Sequence, residues 1–270
     1  MPVPEMLTYS FMQRAFLAGM VVAVICPAIG IFLTLRRLSL IGDTLSHVAL
    51  AGVALGLISG FYPIFSALLI TVLASFAIEA LRKTYSQYAE LSLAVMMAFG
   101  VGLATVLISL GGTSAQVFGY LFGSVTLVTR QDAMSIALLG GTILSLVLFF
   151  YRSLFYISFD ETAALLAGVP VKAVNLLFTI MVAVTISLSM RIVGILLVSS
   201  LMVVPVAAAL QLQGSFKKTF LFSILFGLLS VIIGLTISFY ASLAPGGTIV
   251  LTSLGLLLTV LFQQKLIRGK

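Results

Sequence analysis

Nine long apolar runs organise this chain, at residues 11–35, 43–59, 62–81, 91–110, 133–151, 171–189, 192–210, 219–240 and 248–264. An α-helix needs roughly 17–25 apolar residues to cross the hydrocarbon core of a bilayer, so each run predicts a spanning helix. Charged residues gather between the runs, where water can reach them. A tenth apolar stretch, AQVFGYLFGSVTLV at 115–128, is short and interrupted by glycines. It predicts a re-entrant segment. Gly52 and Gly56, and Gly100 and Gly102, fall inside runs, where small residues let helices approach closely.

Composition carries the reading from helices to a membrane protein. The chain is 61% hydrophobic and 8% charged, with a mean hydropathy of +1.29. That leaves too little polar surface to cover a soluble globule. The fold class is therefore an all-α polytopic membrane protein, and residues 1–270 form one transmembrane domain with no room for an extramembrane one. The first run is too long for the apolar core of a signal peptide and is followed by Arg36 and Arg37 instead of a small-residue cleavage site. It predicts a retained helix. The single cysteine, Cys26, can form no intramolecular disulfide and packs as a small apolar side chain.

A net charge of +7 raises the question of nucleic acid, but the fourteen basic residues are scattered at the ends of runs. They form no basic face or tail, so they set topology instead. With 115–128 re-entrant and the C-terminus cytoplasmic, eleven of them fall inside: Arg36, Arg37, Arg82, Lys83, Arg152, Lys172, Lys217, Lys218, Lys265, Arg268 and Lys270. Arg14, Arg130 and Arg191 fall outside. This split agrees with the excess of positive charge on cytoplasmic loops and places the N-terminus outside. It also puts Asp43 close to the cytoplasmic end of its helix, unless the apolar LSLIG at 38–42 re-enters the membrane.

Asp43 and the chain's one histidine, His47, are the pair most able to do chemistry. At a spacing of four they share one helix face about 6 Å apart. There they can hold a proton or a divalent metal, or bond to each other as a structural pair. Ionisable groups inside membrane segments mark transport pathways. There is no GxxxxGK[ST] phosphate loop, thiol cluster or serine triad, so ATP hydrolysis is not expected of this chain. The loop SFDETAALLAGVPVKA at 158–173 carries Asp160, Glu161 and Lys172; it reads either as a solvated turn with a helix start at Asp160 or as a docking surface for another subunit. Glu79 and Arg82 predict a helix-end ion pair, and Glu90 a charge at a helix start.

RRLSLIGDTLSH, FDETAALLAGV and RIVGILLVSSLMVVPVAAALQL, in this order over nearly the whole chain, resemble the permease subunits of bacterial ABC importers for zinc, manganese and related divalent metals. The resemblance implies a type II ABC importer-like permease. It places Asp43 and His47 on the metal path, and it makes Phe159, Asp160, Glu161, Ala167 and Gly168 part of a coupling helix docked on a cytoplasmic ATPase. The family's proline-containing helix matches the segment around Pro205, where a missing amide donor permits a kink near the pathway. Implied partners are a second permease, an ABC ATPase dimer and an extracellular metal-binding protein; no permanently bound cofactor is expected. One Asp and one His supply two ligands where zinc takes four, so a two-fold axis or water must complete the set. The wording DTLSHVALAGVALG is closer to zinc members, with manganese or iron as the alternative. An ion-coupled secondary transporter and a non-transporting scaffold are the rival classes.

Overall fold

The structure is a computed structural model that describes residues 5–85, 89–112, 114–126 and 128–268. Lys270 lies outside them, as does residue 127 within the tenth apolar stretch. Among the described residues all regular structure is helical: α1 (Ser10–Leu35), α2 (Leu40–Ser59), α3 (Pro63–Thr84), α4 (Ala89–Gly111), α5 (Ser114–Phe122), α6 (Arg130–Phe149), α7 (Tyr151–Phe159), α8 (Glu161–Leu166), α9 (Val171–Ser189), α10 (Val198–Gln211), α11 (Phe216–Ala241) and α12 (Pro245–Arg268). Short 3-10 turns precede α1 and α10.

Eight of these helices are long and apolar enough to cross a membrane: α1, α2, α3, α4, α6, α9, α11 and α12. They coincide within a few residues with eight of the nine predicted runs. The run at 192–210 differs. Ile192 and Val193 form a turn, Gly194 adopts φ +89, and an apolar helix of only 17 residues follows at Ile195–Gln211. Close packing forces this break, because a Cβ on Gly194 would lie 2.4 Å from the Leu121 carbonyl oxygen. Only glycine offers both the positive φ and the missing side chain. The stretch at 115–128 folds as the nine-residue α5, too short to cross, and then loses helical structure at Gly123.

Two groups of helices share the core. In one, α2 packs between α3 and α4, and α3 also packs on α9; in the other, α1 packs against α6, α10 and α11, with α12 covering α10 and α11. Glycines set the closest approaches. A Cβ on Gly30 of α1 would stand 1.9 Å from the Met202 carbonyl oxygen of α10, and one on Gly52 of α2 would stand 2.5 Å from the Ala67 Cα of α3. Cys26 is buried, with its sulfur 3.3 Å from the Ser189 hydroxyl of α9. Gly102 faces open space, so it has no packing role among the described residues.

Polar contacts gather at the two ends of the bundle. At the end where α1 stops, Arg36 donates to Asn175 of α9, and Asn175 donates to Glu161 of α8. At the opposite end, buried Asp132 starts α6 through a reciprocal cap with Thr129, accepts from the Tyr62 hydroxyl and pairs with Arg191 at 3.2 Å. Arg191 also stands over the Tyr120 ring at 4.7 Å. The helix α9 therefore runs from one cluster to the other. Its two ends are the two ends that the basic-residue count separated.

Candidate metal pathway and coupling surface

The chain enters α2 directly at Leu40, so LSLIG makes no re-entrant loop; Leu40, Ile41 and Gly42 are the first turn of the helix. At 1.5 Å per residue, Asp43 lies about 4–5 Å and His47 about 10 Å along α2 from its start. The helix is closely held behind this pair. The Thr44 hydroxyl donates to the Leu93 carbonyl of α4. A Cβ on Gly100 of α4 would meet the backbone of Val48 at 2.9 Å and of His47 at 3.1 Å. Gly42 faces Ser199 of the interrupted helix, with only 3.4 Å between a Cβ there and the Ser199 Cβ.

The opposite face of α2 is open over its first turns only. Thr44, Leu45, Ser46, Val48 and Ala49 are buried, whereas Asp43 and His47 are half-buried on the face that begins with exposed Leu40; further along that face Ala51 and Ala54 are buried. Among the described residues neither Asp43 nor His47 has a hydrogen-bond or ion-pair partner. No third His, Cys, Asp or Glu joins them into a metal-binding cluster among those residues. Unpaired titratable groups on an open membrane face are costly unless a cargo, water or another chain meets them. The structure thus brings the predicted pair to one accessible stripe.

The acidic loop forms the second site. The Asp160 carboxylate accepts from the Ala163 amide at 2.9 Å and caps α8, as the sequence suggested. Glu161 holds the Asn175 amide at 3.0 Å, Ala167 ends the helix, and Gly168 takes φ +82. Phe159 is 65% exposed, with its ring tilted against Phe155 and edge-on to Phe216. Sequence reasoning missed Leu165 and Leu166, which are 60% and 85% exposed beside this cap. Their signal was two leucines in a polar, charge-bearing loop, where an apolar side chain facing outward points to a partner.

Arg36 and Asn175 were also missed as functional positions. The Arg36 guanidinium donates to Asn175 at 2.8 Å and stacks over Phe178 at 5.4 Å. Burial pulls its pKa down to about 10, partly offset by Glu161, so it stays cationic at neutral pH. This chain of contacts links the acidic loop to the turn that precedes Asp43. Pro205 is buried within α10, three residues after the Met202 that packs on Gly30. The predicted helix-end pair is present, with Arg82 and Glu79 at 3.5 Å, and Glu90 lies in the first turn of α4.

A helical bundle with an interrupted helix beside an open carboxylate–imidazole stripe has the architecture of a membrane permease. Solved structures show the same fold: a chain titled PsaBC from Streptococcus pneumoniae in complex with Fab superposes with a TM-score of 0.85 at 29% identity, covering 94% of this chain and 92% of that one. The chain belongs to the ABC 3 transport family, whose pattern matches residues 8–264, and is a metal-importer permease of the ABC type. It is 38% identical to a probable metal transport system membrane protein of Treponema pallidum over 95% of this chain and 96% of that protein. It is 30% identical to the manganese import system permease protein ScaB of Streptococcus parasanguinis, over 91% and 88%. It is 29% identical to the high-affinity zinc uptake system membrane protein ZnuB of Haemophilus influenzae, over 95% and 99%.

Proposed function

We propose that this permease passes a divalent transition metal, zinc or manganese, along the Asp43–His47 stripe of α2. The observation that carries the reading is the half-open, unpartnered pair on a helix otherwise held on its other faces. Imidazole suits zinc and carboxylate suits both metals, and relatives bear both names. Zinc is our first choice from the wording around Asp43. Two protein ligands leave a zinc ion incomplete. A second copy facing the first across α2 would supply the symmetry mates and close a set of two carboxylates and two imidazoles.

The same reading makes α8 the contact with a separate cytoplasmic ATPase dimer. Phe159, Leu165 and Leu166 are its apolar anchors, and Asp160, Glu161, Ala167 and Gly168 shape the loop. The end bearing Arg36 and α8 is then cytoplasmic, and the cluster around Asp132 faces the side where an extracellular metal-binding protein delivers its cargo. Proteoliposomes holding the permease and its ATPase test this directly. Wild type should take up radioactive zinc or manganese on addition of ATP, whereas Asp43→Asn and His47→Ala assemblies should bind ATPase normally and fail to transport. Normal uptake by both variants would refute the pathway. Gradient-driven uptake by permease alone would instead place the protein among secondary transporters. Leu166→Glu should separately abolish ATPase association.

A further inference from the structure

The geometry points to a binding site for one anionic phospholipid in the groove between α6 and α11. The groove encloses about 510 Å³ at the arginine-rich end, with Arg152 and Lys217 on its rim and Leu148 and Phe220 among its walls. Among the described residues neither Arg152 nor Lys217 has an ion-pair or hydrogen-bond partner, and both are exposed. Phe32 of α1 packs on two of the groove's lining residues, its ring 6.3 Å from that of Tyr151 and 6.4 Å from that of Phe220.

A second, separate cavity of about 290 Å³ lies further along the same face of α6 toward the bilayer centre, between α6 and α1, and its surface is almost wholly apolar. Gly140 and Gly141 make it. A Cβ on Gly140 would strike Val21 at 2.4 Å, so this glycine sets the helix approach, while Gly141 meets nothing within 4 Å and leaves the cleft open. From Ala137 in this cleft to Leu148 in the basic groove is about 16 Å along α6. That matches one leaflet, half of a hydrocarbon core of about 30 Å. Two unpaired cations at the boundary and an apolar slot one leaflet deep complement a phosphodiester headgroup with an acyl chain beneath it. A free phosphate ion would leave the slot unused, so the occupant is the lipid. The inference rests on the membrane-spanning fold alone and stands whether or not Asp43 and His47 carry metal.

The permease–ATPase complex in nanodiscs of mixed phosphatidylcholine and phosphatidylglycerol provides the test, read as lipid retained after gentle release into native mass spectrometry. Wild type should keep phosphatidylglycerol in preference to phosphatidylcholine, and millimolar inorganic phosphate should not displace it. Arg152→Gln combined with Lys217→Gln should lower retention roughly 25-fold, about 1 kcal/mol for each cation. Gly141→Leu should abolish retention by filling the slot while leaving both cations in place. Lys172→Gln, at the same end but outside the groove, should retain wild-type levels. Equal retention in the groove variants, displacement by phosphate, or an equal loss in Lys172→Gln would each overturn the site.

Discussion

At the scale of single residues, function and packing make separate demands that substitutions can tell apart. Among the described residues the side chains of Asp43 and His47 make no hydrogen bond or ion pair, so replacing either should barely alter folding. Each should still cut uptake roughly tenfold or more, the change that a loss of only about 1.4 kcal/mol of metal binding produces. Gly30 behaves oppositely: its Cβ would strike the Met202 backbone, and Gly30→Ala should cost about 1–3 kcal/mol by overpacking. Gly102→Ala, with open space around it, should be silent; thermal unfolding of detergent-solubilised protein would compare the two. The pair was legible in sequence because one histidine and one aspartate at helical spacing stand out against lipid-soluble surroundings. Arg36 and Asn175 were not, since an arginine after an apolar run reads as a topology signal and one asparagine near a helix start reads as nothing. Only the fold shows that they meet.

At the scale of elements, most helices follow from hydrophobic run length, and the failure at 192–210 has a clear cause. The residues there are as apolar as any span. What interrupts the helix is a close backbone approach around Gly123, Gly194 and Gly246, where a Cβ on Gly246 would sit 1.8 Å from the Val193 carbonyl oxygen. Tertiary packing of this kind leaves no mark on hydropathy. The acidic loop, by contrast, was readable down to its cap. Its link to α9 makes a prediction: Asn175→Leu removes both the bond to Glu161 and the bond to Arg36. In the reconstituted complex it should leave ATPase association intact and lower the metal transported per ATP hydrolysed. An unchanged ratio would show that the Asn175 bonds carry no coupling. Gly168 is a poorer probe, because its φ of +82 strains any replacement whatever its size.

At the scale of the whole molecule, the two polar clusters face different fates. The Asp132–Arg191 pair is buried, and removing one partner strands the other's charge. Asp132→Ala should therefore destabilise the fold by about 3–5 kcal/mol, measurable as a lower denaturation midpoint, whereas removing Glu161, which is exposed, should cost little.

The helix α9 joins these unequal ends, with a buried ion pair beside one terminus and, at the other, Asn175 bonded to Arg36 of the preceding bundle and to Glu161 of the exposed loop. If α8 moves with a docked ATPase, α9 would act as a lever held near its Asp132 end. Levers act in both directions, so a constraint imposed at the clamp must be felt at the handle, as reciprocity between coupled sites requires. Tyr62→Phe, which takes one hydrogen bond from the clamp and leaves the Asp132–Arg191 pair in place, should thus shift the ATP affinity of the distant ATPase in the assembled complex.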